Sequence, residues 1–242
     1  GNRGADDTVV GNGSWIDTAN FLPTIGYQPA RELREAGDRL TQGLPARPLV
    51  PVLEDMRARN EAPGDIGIRF DAIVGTDDDQ VAIAPGALRR SWSDNGRRYF
   101  HYASNAPIRE HVRFASARYA AHRAQCHGVS VEVFHHPAHD SIVEDMARSA
   151  CASLALYTRL FGPYPHRTMR LVENAMGDIG AHAEPSLVDY GDGFSLLDPA
   201  RESGGLDLVF VVTAHEVAHQ WWGQKPAPAR VEGAGLLVES LA

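Results

Sequence analysis

The segment His215-Glu216-Val217-Ala218-His219, set in an apolar run that starts at Leu208, constrains this chain more than any other stretch. On an α-helix, positions four apart lie about 40° from eclipsed, so the two imidazoles project from one face, a single turn apart. Paired in this way they supply two of the three protein ligands that a catalytic zinc takes while its fourth position stays open. Glu216 falls about 100° round the helix from His215, within reach of a zinc-bound water but off the ligand axis, which is the place of a general base. Leu208, Val212, His215, His219 and Trp222 form one stripe at helical spacing, and Gly223 followed by Pro226 and Pro228 stops the helix. The spacing predicts a helix beginning near Gly205. Buried histidines that merely pack are the bland alternative, and the ordered stripe and stop signal speak against it.

The rest of the composition bounds the partners. A chain of 242 residues has room for one large or two small domains, and 43% hydrophobic content is that of a globular protein. A net charge of −8, with no basic stripe, excludes a nucleic-acid partner. Cys126 and Cys151 are too few for a disulfide framework and lack ligand spacing, so two free thiols are expected. The longest apolar run, Leu208 to Ala214, falls far short of the roughly 18–20 residues that span a bilayer, so the chain itself is expected to be soluble. Both ends read as cut: the chain opens on Gly1-Asn2-Arg3-Gly4 and closes on an amphipathic run, Leu236 to Ala242, without a stop signal. A piece of a longer protein is expected.

Along the chain, residues 1 to about 63 are turn-rich, with a short helix predicted from Pro29 to Leu40. Strand-like alternation then predicts about five strands, over 66–74, 80–84, 98–102, 114–119 and 129–134, separated by turns such as Asp77-Asp78-Asp79 and Asp94-Asn95-Gly96. Residues 1–136 are therefore read as a β-rich region, the end of an antiparallel sheet domain. After Pro137 the period changes. Ser141 and Glu144 are placed as a capping box, and Ile142, Met146, Ala150, Leu154, Tyr157 and Phe161 mark one face of a helix ending at Gly162-Pro163. Short strands at 169–172 and 187–190 precede the histidine helix. The fold class expected is α+β, with residues 137–242 forming the second domain.

A third zinc ligand must come from outside the motif. Glu232 and Glu239 follow it, seven apart, and Glu232 is read as a solvated charge. His135-His136-Pro137-Ala138-His139 tempts as a second metal site but reads as surface histidines in a loop, and Asp77 to Asp79 as a solvated turn. Trp221 and Trp222 are read as core packing and cleft wall.

His215-Glu216-Val217-Ala218-His219-Gln220-Trp221-Trp222-Gly223, with a glutamate in Glu239-Ser240-Leu241-Ala242, resembles the aminopeptidase-N-like gluzincins, a family of zinc peptidases. The likeness is closest to a bacterial subgroup whose peptidase domain is joined to ABC-transporter permease segments. Ile25-Gly26-Tyr27 and Gly96-Arg97-Arg98-Tyr99-Phe100-His101-Tyr102 share in it. The resemblance implies a thermolysin-like (zincin) catalytic domain, truncated here at its C-terminus, and one zinc ion held by His215, His219 and Glu239. It further implies a peptide substrate, and a bacterial, membrane-attached, extracytoplasmic location beside permease segments. One departure stands out: nineteen residues separate His219 from Glu239, one more than the family pattern, which would put the ligand at Val238. An insertion between Pro226 and Gly235 absorbs it.

The activity so implied is zinc-dependent hydrolysis of peptide bonds, of aminopeptidase type, with Glu216 taking the proton of the attacking water and passing it to the leaving amine. The tyrosine that supports the oxyanion in this family lies beyond Ala242. The Gly-Ala-Met-Glu-Asn exopeptidase signature, whose glutamate grips a free amino terminus, aligns with Gly180-Ala181-His182-Ala183-Glu184. Its glutamate position falls on Ala183. Glu184, one place along, faces the other side of the strand unless Pro185 bulges it, and is otherwise a solvated carboxylate. The strand itself can bind an extended peptide by edge pairing. The alternative from another class is a noncatalytic extracytoplasmic module of a membrane transporter that binds a peptide or partner. An intact Glu216 weighs against it.

Overall fold

The computed structural model describes residues 8–10, 13–18, 22–23, 33, 35–46, 50–60, 67–108, 112–175, 179–197, 205–224, 229 and 231–242. The chain opens with β1 (Thr8–Val10), β2 (Gly13–Asp17), α1 (Ala36–Thr41) and α2 (Met56–Asn60). Next come β3 (Asp71–Asp77), β4 (Val81–Ile83), β5 (Ala87–Asp94), β6 (Arg97–Ala103), β7 (Arg113–Ala117), β8 (Ala120–Cys126) and β9 (Val129–His135). The remainder is α3 (Val143–Phe161), β10 (Thr168–Asn174), β11 (Ala181–Glu184), β12 (Leu187–Gly191), α4 (Asp192–Ser195), α5 (Leu208–Ala218) and α6 (Ala234–Leu241). The class is α+β, as expected. Among the described residues no helix is long and apolar enough to cross a membrane.

Among the described residues three sheets form, with strand orders β1-β2-β7-β4, β3-β6-β5 and β11-β12-β10-β9-β8. The first two are antiparallel throughout. The five-stranded sheet is mixed, because β10 runs parallel to both β9 and β12 while β8 and β11 pair antiparallel to their neighbours. It also takes strands from both sides of residue 136: β8 and β9 belong to it and not to the antiparallel sheets before them. α3 is the crossover that joins the parallel strands β9 and β10, a link that such a pair requires.

Period-2 alternation lets this sheet bury both faces. Val131, Val133, Met169, Leu171, Val188 and Tyr190 pack beneath α3 and α5 with Met146, Leu154, Val209 and Val217. Phe134, Val172 and Leu187 point the other way, against Trp15, Ile83 and Ala115 of the four-stranded sheet. A third cluster, including Phe70, Phe100, Tyr102 and Ile108, closes the space between the two antiparallel sheets. Arg170, only 2% exposed, stitches the layers. Its Nε donates to Glu132 at 2.9 Å, its Nη1 donates to the Gly86 carbonyl, and its guanidinium lies over the Tyr102 ring.

Several expectations need correction. Strands β1, β2, β5 and β8 fall outside the expected ones: β1 and β2 lie in the segment read as turn-rich, β5 is exposed and rich in arginine and serine, and β8 alternates only between half-buried and exposed positions until Cys126. No capping box forms: α3 starts at Val143, and its N-cap is Ile142, without a side-chain bond. The helix predicted over Pro29 to Leu40 forms only as α1: its N-cap Glu35 is extended and Leu33 is not helical, while residues 29–32 and 34, like Ile25-Gly26-Tyr27, Pro226 and Pro228, lie outside the described residues.

Cys126 and Cys151 are not free thiols but a disulfide, with Cα atoms 5.4 Å apart. The end of β8 meets the third turn of α3 because that helix folds back across the sheet, a closeness that spacing alone does not reveal. The bridge closes a loop with a sequence separation of 25, for which chain entropy gives about 3 kcal/mol of stabilisation. Cys151→Ser is expected to lower the urea midpoint accordingly, and reductant to do the same to the native chain but not to the variant.

Candidate metal centre

The histidine helix is α5, and it is fixed from both ends. Asp207 caps it, its carboxylate accepting from the Phe210 N–H at 2.8 Å. At the far end Trp221 is buried in the main core and its indole N–H donates to the Gly162 carbonyl at 2.9 Å. Val209, Thr213, Val217 and Trp221 turn to the interior, which leaves the Leu208–Val212–His215–His219–Trp222 stripe half-buried along a cleft. Of that stripe His215, His219 and Trp222 line the cleft, while Val212 and Trp222 also pack against the main core.

The two imidazoles converge, with Nε2 of His215 and Nε2 of His219 3.2 Å apart. Glu239, carried on α6, brings its Oε2 to 3.5 Å from the first and 3.7 Å from the second. Zinc–nitrogen bonds of 2.0–2.1 Å in a tetrahedron place neighbouring ligand atoms about 3.3 Å apart. The triangle therefore has the dimensions of three corners of a zinc tetrahedron. His219 Nδ1 lies 3.1 Å from the Trp222 carbonyl, an oxygen that can only accept, so the ring proton sits on Nδ1 and the Nε2 lone pair faces the triangle. The extra residue between His219 and Glu239 has not carried the carboxylate away. Glu232, as expected, is an exposed charge before α6 begins.

Glu216 differs from Glu239 in environment. It is buried, at 6% exposure, and its carboxylate lies within 4.8 Å of both imidazole donor atoms. Burial pushes its carboxyl up to about 7; His182 opposes this, and Asp189 and Glu239 add to it. A carboxyl in that range is placed for proton transfer near neutrality. The cleft before it holds about 590 Å³ and is walled by β11, Trp222, Gly223 and Val238.

β11 is the edge of the five-stranded sheet, and the residues after the motif hold it there. Buried Gln220 spans the β11–β12 turn: its Oε1 accepts from the Ser186 N–H and its Nε2 donates to the Glu184 carbonyl, both at 2.9 Å. Gln224 Nε2 donates to the Ala183 carbonyl at 2.7 Å. Pairing is regular from Ala181↔Tyr190 to Glu184↔Leu187, so Pro185 produces no bulge within the strand. Ala181 and Ala183 pack on the helix side, and Glu184 takes the other face, as the period requires.

Glu184 is nevertheless no solvated carboxylate. Its Oε2 accepts from the Arg113 N–H at 3.0 Å and its Oε1 lies 3.4 Å from Arg113 Nη1. The same guanidinium reaches Asp189 at 3.3 Å and Asp17 at 3.1 Å. Burial pushes Glu184's carboxyl up to about 8; Arg113 pulls the other way, its charge shared among three carboxylates. Arg113, Asp17 and Asp189 went unnoticed in the sequence because each comes from a different strand. The histidines of the run ending at His139 fall in no metal-sized group among the described residues. Its members are tied down individually, His139 Nδ1 to Glu173 at 2.6 Å and His135 Nδ1 to the His136 carbonyl at 2.9 Å.

Gly223 marks where α6 crosses the end of the motif. Its φ is +98°, and a Cβ there would sit 3.0 Å from Cγ1 of Val238, the residue before Glu239. Gly223→Ala is expected to push α6 outward and weaken zinc binding by roughly tenfold, the scale on which disturbed ligand support acts. Competition with a fluorescent chelator measures it.

No family model matches the chain, and no curated protein matches it.

Proposed function

We propose that this chain is the metal-bearing part of a zinc peptidase, with His215, His219 and Glu239 as ligands and Glu216 as general base. The observation that carries the reading is the triangle of 3.2, 3.5 and 3.7 Å among two imidazole nitrogens and one carboxylate oxygen, with a second, buried carboxylate beside it. Zinc bound there supplies a Lewis acid that brings the pKa of a water towards about 7 and polarises a carbonyl oxygen.

The chain's own groups do the rest. Glu216 takes a proton from the attacking water at its carboxylate and returns it to the leaving amine. The Trp222 carbonyl holds His219 in the tautomer that leaves Nε2 free. β11 lies along the cleft as an edge strand, which an extended peptide can follow by backbone pairing. The resemblance of the motif to aminopeptidase-N-like gluzincins and their zincin domain supports the same chemistry, and implies aminopeptidase-type selectivity. That selectivity needs an anionic group open to the cleft. The Cys126–Cys151 bridge favours an extracytoplasmic location, where disulfides persist, in keeping with a domain attached to permease segments.

The test is metal dependence. Purified full-length protein is expected to hold one zinc per chain, to lose peptide hydrolysis on chelation, and to regain it with added zinc. A protein that takes up no zinc overturns the reading; one that binds zinc and peptide without hydrolysis is a binding module.

A further inference from the structure

Four charged groups meet at the end of the cleft beside β11, and their exposure runs in an informative order. The side chains of Asp189, Glu184 and Asp17 are 2%, 9% and 11% exposed, whereas that of Arg113 is 24% exposed. The anions lie beneath and the cation lies on top. Both oxygens of Glu184 are engaged by Arg113, one by its backbone N–H and one by its guanidinium. Asp189 is engaged by Arg113 through Oδ1 and by the Asn174 amide, at 3.0 Å, through Oδ2. Arg113 spends Nε on Asp17 and Nη1 on Asp189 and Glu184, and Nη2 donates to nothing among the described residues. His182, two residues before Glu184 and on the same face of β11, is 60% exposed, and Asp189 beside it at 3.7 Å holds its imidazole above the ordinary value.

At this end of β11 a ligand therefore meets the Arg113 guanidinium and the His182 imidazole before it reaches Glu184, Asp189 or Asp17. An ammonium group entering here would have to displace Arg113 from Glu184 or sit against a guanidinium, and a buried carboxylate with both oxygens occupied offers it nothing in exchange. A carbonyl oxygen is the complementary partner for a guanidinium edge. With Ala183 lacking any charge, the carboxylate that β11 itself carries at this end, Glu184, has both oxygens occupied by Arg113.

We infer that Arg113 is a specificity-determining residue that fills the place of a substrate's amino terminus, so that the cleft accepts peptides whose chain continues, or is acylated, on the amino side of the cleaved bond. The inference rests on the peptidase reading for its substrate class. Its substrates are internal or amino-blocked peptides, their acyl carbonyl directed at Arg113 Nη2.

The test compares a hexapeptide with a free amino terminus and its N-acetylated form, bound to the zinc-loaded Glu216→Gln protein by calorimetry and cleaved by the Glu216 protein. The two forms are expected to bind and to be cleaved within about threefold of each other. Arg113→Gln uncovers Glu184 and is expected to favour the free amine by tenfold or more. Because Arg113 is part of a buried network, Glu184→Gln serves as the second variant, and it is expected to leave the ratio between the two peptides unchanged. A tenfold preference of the unaltered protein for the free amine, or selective loss of that peptide in Glu184→Gln, overturns the inference, as does failure of both peptides to bind. Failure of zinc uptake, or binding of both peptides without cleavage, overturns the peptidase reading and leaves the amino-side inference to the binding ratio.

Discussion

Glu216→Gln is expected to cut kcat for peptide hydrolysis by about 10³- to 10⁴-fold while the protein keeps one zinc per chain, the scale set by losing a positioned general base. The two readouts separate because the ligand triangle is closed by Glu239, at 3.5 and 3.7 Å from the imidazoles, and not by Glu216. The substitution keeps the shape of a side chain that is 6% exposed and removes a carboxyl that burial already holds up to about 7. Stability of the metal-free protein is therefore expected to be unchanged or slightly raised, since a buried charge with little compensation is lost. A fall in activity with an intact melting curve and intact metal is the signature of a base. Loss of zinc in this variant would make Glu216 a ligand, and turnover above a tenth of the original would remove it from the chemistry.

The centre was legible because its geometry is local. Two histidines four apart must share a helix face, and that fact survives any tertiary arrangement. Glu239 was within reach because it follows on the next element, and the extra residue before it is absorbed before α6. What surrounds the centre was not legible. Arg113 enters from β7, Asp17 from β2, Glu184 from β11 and Asp189 from β12, and no spacing rule joins four strands of two sheets. The disulfide escaped for the same reason, since β8 and α3 meet only through the crossover. The five-stranded sheet was half visible: the strands with apolar runs on both faces stood out, while β8, whose exposed positions are Ala121, Arg123 and Gln125 and whose inner face carries His122, did not alternate strongly enough. Ser141 and Glu144 had capping-box spacing without forming one, a reminder that a local motif specifies the option of a structure and the packing of Ile142 and Val143 decides it.

Gln220 shows how much of a motif can be structural. It follows the second histidine directly, and no spacing rule assigns it a physical role. It is 2% exposed and bridges the β11–β12 turn with one bond accepted and one donated, and it stands in the turn that follows α5, next to His219, one of the proposed zinc ligands. It therefore sets the distance between the metal and the strand that lines the cleft. Gln220→Met fills the same volume but leaves the Ser186 N–H and the Glu184 carbonyl without partners inside the protein, at a cost of about 3 kcal/mol for the pair. For a protein of this size that lowers Tm by about 10 °C. Because a shift near 1 Å in substrate position costs on the order of 100-fold in rate, kcat/KM is expected to fall by about that much although Gln220 touches neither water nor zinc. Zinc affinity is expected to hold, since His215, His219 and Glu239 do not depend on the turn. Calorimetry, metal titration and kinetics on the one variant distinguish this from general unfolding: a loss of zinc parallel to the loss of rate would mean that Gln220 supports the helix and not the strand, and unchanged kinetics would mean that β11 does not position the substrate.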